Sequence, residues 1–184
     1  VMTYGFGGST PMTEPTPASY FTVVGLSTVA TEVTFTVTAQ TLAGGSIPAL
    51  GPGSSHQVTL QQGEVLNVNS SAPGGDLTGT HITANAPIAV FGGHECAFTA
   101  GLCCCDHLEQ QMMPVNTWGT QYVISKSWER WQEKDYVRIL ASQDGTSVNV
   151  SPAVAGAVPV LNAGEYFTFQ TNVNLEVKAD KPIL

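Results

Sequence analysis

The chain has 184 residues, 42% hydrophobic and only 11% charged, which is enough apolar material for one good core or two small ones. Its 19 glycines and 11 prolines are typical of short strands joined by turns. The net charge is −8 and residues 1–125 contain no Lys or Arg, so nucleic acids and anionic membrane surfaces, which attract clustered cations, are excluded as partners.

The first predicted elements are a short strand over residues 1–8 and a Pro/Thr-rich connector that ends at residue 19. Prolines in the connector exclude a regular helix, and we interpret it as an ordered surface crossover rather than a glycosylated stalk. The start of the chain shows no signal-peptide pattern, and no apolar run reaches the roughly 18–20 residues of a spanning helix. We therefore expect a mature or trimmed fragment without membrane insertion.

Alternation of apolar and polar residues predicts the next strands. Residues 31–38 alternate strictly, which places Val33, Phe35 and Val37 on one face and polar side chains on the other. The run at residues 87–91 is apolar on both faces, which predicts a strand in the middle of a sheet.

Further strands are predicted on both sides of a tryptophan-containing segment. Asp144-Gly145 is a tight-turn signal between the predicted strands at residues 136–142 and 146–151. Trp128 and Trp131 are three residues apart, as on a helix face, but so short a segment makes at best a marginal helix. We interpret it as a surface loop between strands.

Four segments of the first half recur in the same order in the second half, which indicates an internal repeat. Residues 20–27 resemble residues 136–142, 31–35 resemble 146–150, 60–68 resemble 161–169, and 82–89 resemble 177–184. The repeat predicts an all-β chain of tandem antiparallel β-sandwich-like units. β-Propeller-like blades are the alternative, but a blade has four strands and each unit here has more.

The repeat also predicts the domain organisation. Residues 1–19 are the first strand and its connector, and residues 20–125 are a first β unit with a cysteine loop at residues 94–107. Residues 126–184 are a second β unit. Its last matched strand ends at Leu184, where the first copy continues, so we expect the second unit to be truncated at its C-terminal end.

The cysteine loop holds all four cysteines, Cys96, Cys103, Cys104 and Cys105, which allow three pairings. The acidic, Lys-poor composition is of secreted character, and disulfides are favoured outside the cell. We prefer a disulfide between Cys96 and Cys105, which closes a short loop. Cys103 and Cys104 then form a vicinal pair or remain free.

A soft-metal site is the alternative use of this loop, because His94 and His107 flank the cysteines. Consecutive side chains in an extended backbone point to opposite faces, so the three adjacent cysteines do not converge on one ion, and we expect neither metal nor cofactor. A redox role is a third possibility. No serine lies in a nucleophile elbow, and the adjacent acid–histidine pairs diverge, so we expect no enzyme.

The basic residues concentrate near the tryptophans. Trp128, Arg130 and Trp131 lie within four residues, and Trp and Arg are the usual energetic anchors of interfaces. One interpretation is that the indoles cap an edge of the sandwich with the charges outward. The functional interpretation is a contact surface for a partner or a neighbouring repeat, and these three are the candidate partner-binding residues.

Two stretches carry a resemblance to a known family. DLTGTHITANAPIAVFGGHEC (residues 76–96) and CDHLEQQMMPVNTWGTQYVIS (residues 105–125) resemble the signature of the IgGFc-binding protein N-terminal domain family. The resemblance implies a non-catalytic extracellular module, and it places Cys96 and Cys105 on the two cysteines of the family. Cys103 and Cys104 lie outside that pattern.

The composition resembles bacterial surface versions of this family. Binding to the Fc part of immunoglobulin G is attached to the animal members, and no motif of Fc-contacting residues can be placed on this chain, so we do not carry it over.

Two functions are compatible with these features. The first is an extracellular or cell-surface adhesion module that recognises a protein or glycan partner through loops on a rigid β scaffold. The second is a structural subunit whose exposed sheet edges join copies of the chain into a polymer or layer.

Overall fold

A computed structural model describes residues 17–71, 74–98, 105–129, 131, 133–153 and 156–184. The predicted first strand, most of the connector, and Cys103, Cys104 and Arg130 lie outside the described residues. Within them the chain is all-β, with one short 3₁₀ turn at Val115–Thr117 and no α-helix. No helix of this part of the chain is long and apolar enough to cross a membrane.

The described residues form twelve strands, and all strand pairings are antiparallel. The strands are β1 (Ser19–Gly25), β2 (Thr31–Thr36), β3 (Ser55–Leu60), β4 (Val65–Asn69), β5 (His81–Ala84), β6 (Ile88–Ala97), β7 (Asp106–Gln111), β8 (Gly119–Ile124), β9 (Asp135–Leu140), β10 (Val148–Ser151), β11 (Tyr166–Thr171) and β12 (Leu175–Ile183).

The chain divides into two compact units, Val1–Met113 and Pro114–Leu184. This boundary differs from the one expected at residue 125. From sequence, β8 belongs with the first unit because it continues the cysteine-containing stretch, but in the structure β8 pairs with β12 and lies in the second unit. Hydrogen bonding to a distant strand, not proximity in sequence, determines where β8 lies.

The first unit consists of two sheets packed face to face. Their strand orders are β4-β1-β6-β7 and β3-β2-β5. Phe21 of β1 and Phe35 of β2 meet edge to face between the sheets, with ring centroids 5.3 Å apart. The predicted alternation of β2 is confirmed, since Val33, Phe35 and Val37 are all buried. The apolar β6 has a neighbour on each side, as expected for a central strand.

The second unit has the same two-layer plan with fewer strands. Its sheets are β10-β12-β8 and β11-β9. The core between them is formed by Ile139, Phe169, Leu175, Val177 and Ile183. Two facing sheets around a shared core are a sandwich and not a propeller blade, which is a single sheet.

The repeat seen in the sequence is reproduced in the strand registers of the two units. β1 with β4 corresponds to β9 with β11, and β2 with β5 corresponds to β10 with the start of β12. The matched residue pairs are Tyr20↔Asn69 and Tyr136↔Gln170, Val24↔Val65 and Leu140↔Tyr166, and Phe35↔Ile82 and Val150↔Val177. Each unit therefore folds with the same pairing of equivalent residues.

The turn before β4 and the turn before β11 are also alike in detail. Gly63 and its counterpart Gly164 have φ angles of 79° and 81°, a left-handed conformation that favours glycine. In each turn the next residue, Glu64 or Glu165, accepts a hydrogen bond from the backbone N–H three residues earlier, at 2.7 Å in both. These carboxylates supply an acceptor for a backbone group that the turn would otherwise leave to water.

Candidate functional site

The cysteine corner comprises the described residues 94–97 at the end of β6 and 105–109 at the start of β7. A disulfide joins Cys96 to Cys105, with their Cα atoms 5.0 Å apart, so the preferred pairing is confirmed. The register between β6 and β7 shifts between His94 and Ala97, which is a bulge in the ladder at the crosslink. The state of Cys103 and Cys104, which lie outside the described residues, stays a prediction.

His94 lies beneath this corner and is only 1% exposed. Its Nδ1 accepts a hydrogen bond from the Cys96 N–H at 3.1 Å, so the neutral ring carries its proton on Nε2. Burial lowers the pKa of His94, an effect that the nearby carboxylates Glu95 and Asp76 offset only in part. The imidazole is therefore a neutral acceptor that holds the bulge.

Glu95 connects the corner to the start of the first unit. Its carboxylate accepts hydrogen bonds from the Ala18 N–H at 3.1 Å and from the Asn69 side-chain amide at 3.2 Å. Its own backbone N–H donates to the Ala18 carbonyl at 3.0 Å. One carboxylate thus joins the chain entering β1 to the end of β4.

Tyr20 crosses β6 over Gly93, and its hydroxyl lies 3.4 Å from Nε2 of His107. A Cβ at Gly93 would collide with the backbone carbonyl of Leu108 on β7 and come within 2.8 Å of that hydroxyl oxygen, so only glycine fits here. Burial raises the pKa of Tyr20, and the charges of Glu109 and Glu95 raise it further. The phenol therefore stays protonated and is not poised as a base or nucleophile.

The two histidines of the metal alternative are not brought together. His94 is buried, whereas His107 is largely exposed and lies 3.6 Å from the Glu109 carboxylate. In the part of the chain that the structure describes, no group of three His, Cys, Asp or Glu side chains is arranged to hold a metal ion.

The tryptophan loop, defined as the described residues 126–129, 131 and 133–135, joins β8 to β9. Trp128 and Trp131 are 91% and 94% exposed, so neither indole caps the sandwich. Trp131 has a φ of 59°, a left-handed conformation that is unusual for a bulky residue. Burying two indoles in a partner would remove a large apolar area from water.

Side chains from the second unit hold the base of this loop. The Lys126 N–H donates to Oδ1 of Asn174 at 2.9 Å, and the Ser127 N–H donates to Oδ2 of Asp135 at 2.6 Å. The ammonium of Lys126 lies 3.3 Å from the Glu129 carboxylate. Two hydrogen bonds thus hold the backbone that leads into Trp128.

An open cleft of about 480 Å³ lies beside the two indoles. Thr171, the last residue of β11, and Asn172 of the β11–β12 turn complete its wall. These residues and the anchor Asn174 were not identified from sequence, because they lie some forty positions from the tryptophans and a turn composition carries no signal of what it faces. The repeat could have indicated them, because the strands equivalent to β1 and β4 are β9 and β11, and the pairing of β9 with β11 brings the end of β11 beside the tryptophans.

The comparisons with known proteins point to one family. A family model described as IgGFc binding protein matches residues 1–184, which is the whole chain. Over 68 residues the chain is 41% identical to a human protein named IgGFc-binding protein, an alignment that covers 37% of this chain and 1% of the human protein. No solved structure matches the chain. The bacterial surface version stays a prediction.

Proposed function

Since the chain belongs to the IgGFc binding protein family, we propose that it is a non-catalytic adhesion module that works outside the cell or at its surface. It binds a protein or glycan partner, and the contact surface is the tryptophan loop of the second unit. The sheets supply a rigid scaffold, and the loop supplies the recognition.

The exposure of Trp128 and Trp131 is the observation that carries this proposal. Tryptophan is among the side chains that contribute most to interfaces, and an exposed indole gives no packing energy to the isolated fold. The left-handed backbone at Trp131 supports the same conclusion, because strained conformations persist where the function needs them. Arg130, the third candidate contact residue, lies outside the described residues and remains part of the proposal.

The disulfide between Cys96 and Cys105 supports the extracellular location. Structural disulfides persist in oxidising compartments and are rare in the cytosol of most organisms. The acidic chain with few lysines is consistent with a surface exposed to the medium.

Fc binding is not part of the proposal. The name of the human relative assigns it to that protein, and the alignment covers 1% of its length. Purified Fc is nevertheless the natural first probe.

The proposal is tested by surface plasmon resonance with the immobilised chain and two purified analytes, IgG Fc and a secreted mucin. A mucin presents protein and glycan together, so we expect saturable binding to it that falls about tenfold or more in the Trp128→Ala/Trp131→Gly double variant. Glycine at residue 131 tolerates the left-handed conformation, so the backbone of the loop is kept. Val123→Ala is the matched control, because Val123 is an exposed apolar residue on the preceding strand. Equal binding by the double variant would remove the loop as the contact surface.

A second candidate function, a subunit of an extracellular polymer, is favoured by one sheet edge. Among the described strands, β9 and β11 form a two-stranded sheet in which each strand has one neighbour, with an isolated bridge between Ala141 and Ile183. An open edge is a template for pairing with another chain. Sedimentation velocity distinguishes the candidates, since a discrete monomer supports adhesion and a growing series of oligomers supports the polymer.

A further inference from the structure

We propose that the tryptophan loop is a saccharide-binding site, and that its ligand is an uncharged oligosaccharide. This inference rests on the proposed function and names the ligand class of the same loop. It is carried by the two exposed indoles together with the polar and charged lining of the cleft beside them.

The indoles provide flat apolar surfaces. A pyranose ring has a face of C–H groups that packs on such a surface, while its hydroxyls point outward and need hydrogen-bond partners. Trp128 and Trp131 line the same cleft, so a ligand in the cleft has both indole rings beside it. Indoles offer this area with little loss of side-chain entropy, because they have only two rotatable bonds.

The rest of the cleft is suited to hydroxyl groups and poorly suited to a protein core. Apart from the two indoles, the lining is polar or charged: Lys126, Ser127, Glu129, Glu133, Lys134, Asp135, Thr171 and Asn172. The centres of protein interfaces are depleted of Lys, Glu and Asp. Carboxylate and amide oxygens accept hydrogen bonds from hydroxyl groups, and a sugar ring carries several hydroxyl groups.

The charges of the lining disfavour an acidic ligand. Two lysines face three carboxylates in the described lining, and Arg130 of the proposed contact surface brings the bases to three, so positive charge is not in excess. Lys126 is already paired with Glu129 at 3.3 Å. A sulfated or sialylated glycan would therefore find no excess of positive charge to bind, and an uncharged glycan needs none.

The size and preorganisation of the site fit a short oligosaccharide. The cleft of about 480 Å³ is within the roughly 300–1,000 Å³ of small-molecule sites. The hydrogen bonds from the Lys126 and Ser127 N–H groups hold the backbone that leads into Trp128 before a ligand arrives. Preorganisation of this kind reduces the entropy lost on binding.

The test uses the full chain on a printed array of uncharged and acidic oligosaccharides, followed by calorimetric titration with the strongest ligand. We expect binding to uncharged glycans, with the affinity about tenfold or more lower in Trp128→Ala and in Trp131→Gly. Trp128→Tyr, which keeps a flat ring and a hydrogen-bonding tip, should retain more affinity than Trp128→Ala. Val123→Ala should bind as the wild type, and the melting temperatures of all variants should be similar.

Two results would overturn the saccharide proposal. One is no binding, or only acidic-glycan binding, on the array. The other is uncharged-glycan binding that Trp128→Ala and Trp131→Gly leave intact. If the enzymatically deglycosylated mucin still binds through the tryptophans, the saccharide proposal fails and the adhesion function stands. If neither native nor deglycosylated mucin nor any glycan binds, both fail.

Discussion

The two units of this chain pair equivalent residues in equivalent registers, yet they bury very different amounts of side chain. In the described residues the core cluster of the first unit has thirteen buried members, and that of the second has five. Phe35 of the first unit is fully buried, and its counterpart Val150 is only partly buried. The shared registers follow from shared turns and backbone pairing, whereas core size depends on side-chain volume at each position.

The two units also differ where the chain enters their first strand. In the first unit, Ala18 is buried and held by the Glu95 carboxylate. The repeat places Lys134 at the equivalent position, and there the chain emerges from the exposed tryptophan loop. The equivalent position thus closes the fold in one copy and follows an exposed loop in the other, the loop that we propose as a contact surface.

The largest expected effect is on the core of the first unit. Phe35→Ala removes a fully buried ring and should lower the free energy of unfolding by about 3–5 kcal/mol. Val150→Ala at the equivalent position should cost about 1 kcal/mol, because Val150 is smaller and partly exposed. Urea denaturation followed by circular dichroism measures both. Similar losses of unfolding free energy in the two variants would show that the two cores contribute equally to stability, which would contradict the difference in core size.

The crosslink of the first unit should have the next largest effect. In a Cys103→Ser/Cys104→Ser background, which prevents exchange, Cys96→Ala/Cys105→Ala should lower the free energy of unfolding by about 2–3 kcal/mol. The reason is the greater freedom of the uncrosslinked unfolded chain. The background variant itself is the control, and thiol titration should find no free thiol in it. An unchanged unfolding midpoint without the disulfide would contradict a stabilising role.

The buried histidine should make the first unit sensitive to pH. Because burial lowers the pKa of His94 in the folded state, the unfolded chain binds more protons below its own pKa of about 6.5. Neutral His94 therefore makes its full contribution to the free energy of unfolding above that pH, and this contribution is lost as the pH falls below it. His94→Asn keeps an acceptor for the Cys96 N–H and cannot take up the proton. Between pH 7.5 and 5 the urea midpoint should fall less in this variant than in the wild type. Equal decreases in the two proteins would exclude His94 as the source of the pH sensitivity.

The twin turns should show the smallest effect, and the same effect in both units. Glu64→Ala and Glu165→Ala each remove one charged acceptor from an exposed backbone N–H, at a cost of about 0.5–1 kcal/mol. Glu64→Gln and Glu165→Gln keep an acceptor oxygen and serve as matched controls. Thermal unfolding compares the four variants. A loss confined to one unit would show that the turns are alike in geometry but not in energy.

Much of this fold could be predicted from local patterns and from the repeat. Strict alternation identified the buried face of β2, and a doubly apolar run identified the central strand β6. The repeat aligned residues that occupy equivalent pairs in the two units. These signals are strong because burial acts on every second residue of a strand.

Other features could not be predicted because their cause is not local. β7 (Asp106–Gln111) is almost entirely polar and exposed, and only its pairing with β6 makes it a strand. Asp144 and Gly145 do form a turn, but the strands on either side of it belong to different sheets. The sequence also could not predict whether the tryptophans are exposed, because the local sequence is the same for an indole that caps the sandwich and for one that contacts a partner.

The central claim is that a partner contacts the tryptophan loop and leaves the sheets beneath it unchanged. The indole N–H resonances of the three tryptophans test it directly in a titration of the ¹⁵N-labelled chain with uncharged oligosaccharides released from mucin. The signals of Trp128 and Trp131 should shift with a common saturation curve, while that of Trp118, which is 7% exposed, should stay in place. Equal shifts in all three signals, or no shift in any, would contradict the account.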